Sequence, residues 1–525
     1  MIFSMKLASS DQIKEIDTLS TRKYGIPSLI RMEAAGLKSY EIIKEEYGPR
    51  NALIVVGTGN NGGDGLVIAR YLLLDNYKCT ICIIKTSKIK SKDFDINLSI
   101  VKKLGASLIK DWRAIRPNKH DLIIDSIFGV GLNRSLSSNI QKIIKKLNAS
   151  TVPICSVDIP SGLNPNNGQT FSASILADST ITYDFAKPGL VTDPGAKFSK
   201  KIYIVKLPTP EILSKKLNNF YINDNFFKNF FKSRNKSSNK GTFGHVLIIG
   251  GSRGMPGAVS LSGLAAYKSG AGLITLCVPK CISSSLKNKI PEAIVLDVPN
   301  SKDLHTIDES KFIESIKNRI RKNPTSVVIG PGLGNRKGLL KIIEDSLAYF
   351  DCPIILDADA LNLISQKINT LKKFKNEIII TPHPGEMSKI TSKSVKEIQE
   401  NRIKIAQFIS QKTGCISLLK GFRTIITNKS GQVYINGSGN EGMATGGMGD
   451  ALTGIIASFI GQGYSTTEST ILGAYIHGKA GDSIASVSSK RGILASEIIK
   501  ILPKIINSLE KESSTTSDPE IIENQ

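Results

Sequence analysis

Residues 54–70 read "IVVGTGNNGGDGLVIAR". An apolar run, Leu53 to Val56, meets a burst of glycines and then an amphipathic run, the pattern of a strand, a tight turn and a helix. Gly57, Gly59 and Gly62 have the G-x-G-x-x-G spacing of a dinucleotide-binding turn. Such a turn also wants an acidic residue at the end of the following strand, where it would hold a ribose. Here that strand ends "IIKTSK" (83–88), with Lys85 and no acid. A P-loop would need a lysine after the glycines, and none follows. The turn carries Asn60, Asn61 and Asp64 instead. Their amide oxygens and carboxylate suit a cation or a sugar hydroxyl better than a pyrophosphate alone. A bare turn without a ligand is the alternative, and so many glycines beside polar side chains weigh against it.

Working outward, strand-like runs fall at 52–56, 79–84, 121–125, 154–158, 180–182 and 202–205, with helical patterns at 65–74, 92–104 and 138–148. This alternation predicts a parallel sheet covered on both faces, a Rossmann-like three-layer α/β/α sandwich. "KSRNKSSNKG" (232–241) is polar and aperiodic and reads as a linker. A second α/β series follows, with strands at 245–251, 273–279, 326–332, 353–359, 377–386 and 415–421 and helices near 450–461 and 467–485. The expected domains are therefore 1–230 and 231–510, with 511–525 a disordered tail. In both, glycine-rich turns fall at the C-terminal ends of strands, where open α/β sheets bind ligands.

The 525 residues suffice for two or three cores, and no apolar run is long enough to span a bilayer. The N-terminus lacks a signal-peptide core, so a cytoplasmic location is expected. The net charge of +24 raises nucleic-acid binding, but the lysines are scattered rather than gathered in a stripe, which argues against it. Of the seven cysteines, Cys79 and Cys82 have C-x-x-C spacing within a strand-like run. With no second pair nearby, they read as reduced core thiols rather than a zinc or redox site.

Two more strand ends extend the first domain's motif: "LIIDSIFGVGLNRS" (122–135) places Asp125 at a tip, and "CSVDIPSGLNP" (155–165) places Asp158, Ser161 and Gly162 at the next. All such tips share one edge of a parallel sheet, so Asn61, Asp125 and Ser161 can converge. One carboxylate, one amide and one hydroxyl fit a monovalent ion better than Mg²⁺ or Zn²⁺. In the second domain, "NEGMATGGMGDALTG" (440–454) sets Gly446, Gly447 and Gly449 before Asp450 at the start of an apolar helix. A glycine turn there offers backbone N–H groups and a positive dipole end to an anion, and Asp450 can act as a general base; a simple N-cap is the bland alternative. "KGFRT" (420–424), "TPHPGEM" (381–387), "GPGLG" (330–334) and "GGSRGMPGA" (250–258) lie at other strand tips.

"GNNGGDGLVIAR", "DSIFGVG" and "DIPSG", with "IPSLIRMEAAG" (26–36) and "AKPGL" (186–190), resemble the N-terminal domain of bifunctional NAD(P)H-hydrate repair enzymes over residues 7–220. Arg31 stands where that family more usually has a small or apolar residue. The resemblance implies epimerisation of the C6 hydroxyl of hydrated NADH or NADPH, and a K⁺ ion held by Asn61, Asp125 and Ser161. It implies substrate contacts from Asn60, Asn61, Gly62, Gly63 and Asp64, from Gly129, Val130, Gly131, Leu132, Asn133, Arg134 and Ser135, and from Asp158. Epimerisation needs an acid/base group; Asp158 is the first candidate and Lys187 the second, a surface lysine being the alternative for the latter.

Residues 230–505 resemble the same family's ribokinase-like ADP- or ATP-dependent dehydratase. There the resemblance implies nucleotide binding by Lys420, Gly421, Phe422, Arg423 and Thr424 and by Asn440, Glu441, Gly442, Met443, Ala444, Thr445, Gly446, Gly447, Met448 and Gly449. Gly332, His383, Pro384, Gly385, Glu386, Met387 and Asp450 would face the hydrated nicotinamide. Mg²⁺ would accompany ADP, with ATP the alternative, and a homo-oligomer is expected. A ribokinase-like small-molecule kinase with a ligand-sensing N-domain, and an RNA-associated scaffold, are the rival readings.

Overall fold

The computed structural model describes residues 5–86, 90–227, 230–232, 234–298, 309–320, 323–335 and 338–514. The chain divides into two compact units, Lys6–Asn219 and Phe220 onward.

The first unit's sheet has strands β1 (Asn51–Val56), β2 (Lys78–Ile83), β3 (Ser107–Ile109), β4 (Leu122–Ser126), β5 (Ile154–Val157), β6 (Ala177–Tyr183) and β7 (Ser199–Val205). They run in the order β3-β2-β1-β4-β5-β6-β7, every neighbouring pair parallel. The pleat of β1 explains the layers. Ile54 and Val56 join a core with helices α2 (Ser28–Tyr47), α3 (Asn60–Leu74) and α4 (Lys92–Lys103). Leu53 and Val55 point the other way, into a core with α5 (Ser138–Asn148). Helix α1 (Ser10–Arg22) packs separately, through Ile13 and Ile16 on Leu217. Cys79 and Cys82 are buried in β2, their thiols pushed up to about 12 by burial, as core residues.

The second unit's sheet carries β8 (His245–Ile249), β9 (Leu273–Pro279), β10 (Ile294–Val298), β11 (Ser326–Ile329), β12 (Ile354–Leu356), β13 (Ile378–Ile380), β14 (Ile416–Leu419), β15 (Ile425–Thr427) and β16 (Val433–Asn436). These neighbour one another in the order β16-β15-β14-β13-β12-β11-β8-β9-β10. The pairs from β14 to β10 are parallel, and β15 pairs antiparallel with both β14 and β16. Its helices include α6 (Pro256–Lys268), α7 (Pro384–Thr391), α8 (Met448–Gly461), α9 (Thr466–Val487) and α10 (Ala495–Ser514).

Several expectations shift. The strands expected at 326–332, 353–359, 377–386 and 415–421 stop earlier, at Ile329, Leu356, Ile380 and Leu419, and the tip residues turn away into loops and helix starts. Asn60 to Asp64 are not a loop: they form the first turn of α3, with Gly59 as its N-cap. The units part at Asn219/Phe220, ahead of the expected 230. Phe227 packs on Tyr475 with ring centroids 4.8 Å apart, and Phe230 stacks on Tyr464, so this segment belongs to the second core. Part of the expected linker is also fastened there: Arg234 lies over the Phe243 ring and donates to the Gly270 carbonyl at 2.6 Å. Residues 511–514 of the expected tail complete α10, and 515–525 lie outside the described residues.

Candidate active sites

In the first unit, a cavity of about 520 Å³ opens beyond the β1, β4, β5 and β6 tips. Asn60, Asn61 and Asp64 reach it from the first turn of α3, Gly129 to Arg134 from the loop after β4, Asp158 from the end of β5, and Lys187 from beyond β6. Gly62 and Gly63 do not line it: Gly62 lies against the Gly57 carbonyl and Gly63 against Met32, so both serve the packing of α3. Ser135 is exposed and outside the lining.

Asp158 is the best-held carboxylate of the cavity. Its Oδ1 accepts from Lys187 Nζ at 2.6 Å and its Oδ2 from the Val130 N–H at 3.1 Å. Its φ of +68° is unusual for a residue with a side chain and marks local strain. Lys187 is 0% exposed, which rules out a surface lysine; it also donates to Thr182 Oγ1 at 2.7 Å and the Tyr183 carbonyl at 3.4 Å. Three donors thus meet three acceptors. Gly129 lets Asp158 and Asn61 approach each other, since a Cβ there would stand 2.8 Å from Asp158 Oδ2 and 3.3 Å from Asn61 Cγ.

Asp125 sits wholly buried beneath this. Its Oδ2 accepts from Ser156 Oγ at 2.8 Å and from the Ser161 N–H at 2.9 Å. Ser161 Oγ in turn accepts from the Phe128 N–H at 2.9 Å. Burial pushes the Asp125 carboxyl up. The Asn61 amide oxygen and nitrogen are both shielded from solvent with no hydrogen-bond partner. Among the described residues Asn61 alone has two such atoms, and a buried amide with both ends unpaired calls for a ligand.

Sequence reasoning flagged Arg31 but not its partners. The Arg31 guanidinium, 8% exposed, pairs with Asp17 Oδ1 at 2.7 Å and Asp184 Oδ2 at 3.3 Å and donates to Thr209 Oγ1 at 2.5 Å, tying α1, α2 and two later loops together at the cavity wall. Asp64 makes no ion pair among the described residues, and Arg31 offsets its surroundings only in part. Burial first, then Asp158, Asp17 and Asp93, hold its carboxyl well above the usual range.

In the second unit the groups gather at the tips of β12, β13 and β14 and the start of α8. Gly447 caps α8 with φ +85°, so the N–H groups of the first turn have no side-chain cap. Asp450 lies in that turn. Burial, the Asp357 carboxylate and more distant Asp359 outweigh Lys420 and raise its pKa to about 7. Lys420 Nζ donates to Asp357 Oδ1 at 2.9 Å and lies 3.8 Å from Glu386 Oε2. His383 caps α7: its Nδ1 accepts from the Gly385 and Glu386 N–H groups, which leaves the proton on Nε2, 3.5 Å from Glu386 Oε1. Burial and Lys420 lower the His383 pKa, so the ring is neutral at pH 7. Met387 is fully buried, a core side chain rather than a lining one. Gly332, with φ +60°, follows β11 and packs near Met255.

The two expected nucleotide segments lie side by side, because the Asn436 N–H donates to the Thr424 carbonyl at 2.9 Å. In one, Thr424 Oγ1 closes on the Gly421 carbonyl, Arg423 reaches the Gly437 carbonyl and Phe422 is half exposed. In the other, Asn440 Nδ2 and the Gly439 N–H both bind the Asp482 carboxylate of α9 at 2.8 Å, and Glu441 pairs with Lys490. Thr445 Oγ1 donates to the Ile493 carbonyl at 2.9 Å, which holds the run from Ala444 to Gly449 beside α10. Asp357 and Asp482 escaped the sequence reading. For Asp357 a signal existed, "LDAD" (356–359), two carboxylates at a strand end.

Two α/β units, each setting at its strand tips a lysine that pairs with a carboxylate, define a two-centre α/β enzyme. Residues 28–189 match the family described as YjeF-related protein N-terminus, and residues 246–504 match the Carb_kinase family, described as NAD(P)H-hydrate dehydratase. The bifunctional NAD(P)H-hydrate repair enzyme Nnr of Moorella thermoacetica is 33% identical over 97% of this chain and 98% of its own length. That of Dictyoglomus turgidum is 33% identical over 96% and 98%. The crystal structure of ADP/ATP-dependent NAD(P)H-hydrate dehydratase from Bacillus subtilis, co-crystallised with ATP/Mg²⁺, is 28% identical and covers 55% of this chain and 97% of its own, with a TM-score of 0.48. The chain belongs to the family of bifunctional NAD(P)H-hydrate repair enzymes.

Proposed function

We propose that the first unit interconverts the R and S forms of hydrated NADH or NADPH at C6 and that the second dehydrates the S form, consuming ADP. The observation that carries this is a lysine-held carboxylate at the strand tips of each unit: Asp158 on the buried Lys187, and Asp357 on Lys420, with Asp450 at the start of α8 feeling both of the latter charges.

Epimerisation requires the C6 hydroxyl to leave and return on the other face, or the ring to open and close, and either route moves a proton. Asp158 gives and takes that proton, while the Val130 N–H holds Oδ2 and Lys187 holds Oδ1. Asn60, Asp64 and Gly129 to Arg134 line the space for the substrate. The shielded, unpaired Asn61 amide, the Asp125 carboxylate and Ser161 fit a K⁺ ion, which would supply fixed positive charge beside the substrate.

In dehydration hydroxide is a poor leaving group and phosphate a good one. Asp450 takes the C6 hydroxyl proton as that oxygen attacks the terminal phosphorus of ADP, releasing AMP. The ring nitrogen then expels phosphate, the neighbouring ring carbon loses a proton, and the double bond of NADH is restored. The N-terminal amides of α8 receive the charge that develops on the phosphoryl oxygens. Lys420 to Thr424 and Asn440 to Gly449 hold the nucleotide, and His383 and Glu386 face the nicotinamide. Mg²⁺ comes with the nucleotide and screens its phosphates; among the described residues no group of three or more His, Cys, Asp or Glu is arranged to hold it independently. The reading places the enzyme in the cytoplasm, supported by the thiols of Cys79, Cys82, Cys155, Cys277 and Cys415 buried singly in the cores, and expects a homo-oligomer.

Incubating the protein with mixed hydrate epimers, Mg²⁺ and either ADP or ATP, and following the absorbance of NADH, tests this. No recovery with either nucleotide refutes it; recovery of only the S portion refutes the epimerase half.

A further inference from the structure

We propose that Asp357 is the positioning residue of the dehydratase centre: it clamps Lys420 beneath the N-terminus of α8 and thereby sets how readily Asp450 accepts a proton. The inference rests on reading this unit as a dehydratase.

The geometry is that of a clamp. Asp357 follows β12 and is 1% exposed. One oxygen, Oδ1, accepts both the Thr381 hydroxyl at 2.6 Å and Lys420 Nζ at 2.9 Å. These partners come from the ends of β13 and β14, so the carboxylate joins three adjacent strand tips. The first turn of α8 rests on the pair: a Cβ on Gly449 would stand 3.3 Å from Lys420 Nζ and 3.6 Å from Asp357 Oδ2. A side chain at that position would press on the Lys420 ammonium.

The charges facing Asp450 are Asp357 and Asp359 on the loop and helix after β12, and Lys420 after β14. Glu386 of α7 acts through Lys420, with neutral His383 beside it. From α6, Ser262 donates to the Asp450 carbonyl. From α9 comes His477, whose burial lowers its pKa to about 4 and keeps it uncharged. Asp357 is the largest like charge among these. Its removal therefore eases ionisation of Asp450, makes it a weaker base, and frees Lys420 to pair with it.

The test is the pH profile of kcat/KM for nucleotide-dependent dehydration by the full chain. Asp357→Asn keeps the shape and the Thr381 bond but not the charge. The expected result is an acid limb displaced downwards by about one pH unit, with a lower plateau. An acid limb that stays in place while thermal stability falls overturns the proposal, because a merely structural carboxylate would give that result. Should Asp357→Asn leave Lys420 buried and unpaired so that the chain does not fold, Lys420→Met is compared with Asp357→Asn/Lys420→Met. The double variant must have its acid limb at lower pH than the single one, and coincident limbs overturn the proposal. Absence of dehydration by the unmodified protein defeats the functional reading itself, which is a different result from an unmoved limb.

Discussion

Lys187→Met tests the epimerase centre most directly. The ammonium is fully buried and spends its three N–H groups on Asp158, Thr182 and the Tyr183 carbonyl. Met fills a similar volume, so the loss is electrostatic. Asp158, whose side chain is 13% exposed, keeps the Val130 N–H as its remaining hydrogen bond. Removing one partner of a buried pair costs about 3–5 kcal/mol, because the other charge stays behind. At roughly 2–4 °C per kcal/mol for a unit of this size, the first unit's melting transition drops by roughly 6–20 °C. Calorimetry of the full chain measures this. Epimerisation is followed as recovery of NADH from R hydrate with ADP and Mg²⁺, where the protein's own dehydratase reports each S molecule formed. A fall of at least about 100-fold is expected if Asp158 must be held in place. Lys187→Met/Asp158→Asn removes both charges and regains most of the lost melting temperature while staying inactive. A single variant that melts within about 2 °C of the parent and epimerises within about twofold refutes the reasoning, since the pair would then be neither a structural nor a catalytic unit.

Dehydration by the parent should rise with pH through about 7 and level off above it, because Asp450 must lose its proton to act as a base and its pKa lies there; Asp450→Asn should abolish it and leave epimerisation intact, read with chirally resolved hydrate. Gly129→Ala places a methyl 2.8 Å from Asp158 Oδ2 and should lower epimerisation at least about tenfold with dehydration unchanged. Replacing K⁺ by choline should slow epimerisation, and Asn61→Ala should remove that dependence; equal rates in both salts would count against an ion at the Asn61 amide.

The chain disclosed its strand tips well and its long-range partners poorly. Asp125, Asp158 and Asp450 were legible because each stands where an apolar run and a glycine turn meet within a few residues, a local pattern. Asp357 also ends an apolar run, but no glycine stands near it and nothing around it in sequence signals that Thr381 and Lys420 will meet it. Arg31 looked misplaced because its acceptors, Asp17, Asp184 and Thr209, come from three other segments. β3, β10, β15 and β16, three to five residues long, went unread. "KSRNKSSNKG" has a linker's composition, but composition does not reveal that Arg234 will lie across Phe243.

The glycines of the opening turn divide by purpose. A side chain at Gly57 would collide with the Ile127 carbonyl, and one at Gly62 with Gly57 itself, so these two keep a strand and a helix in contact whatever the turn binds. Gly59 meets nothing within 4 Å and faces the cavity. Two-thirds of the dinucleotide spacing is therefore a carpentry joint, and a search for that spacing finds joints. The middle position is the informative one: a methyl there is invisible to the folded chain and visible to whatever molecule enters, so Gly59→Ala separates being folded from being occupied.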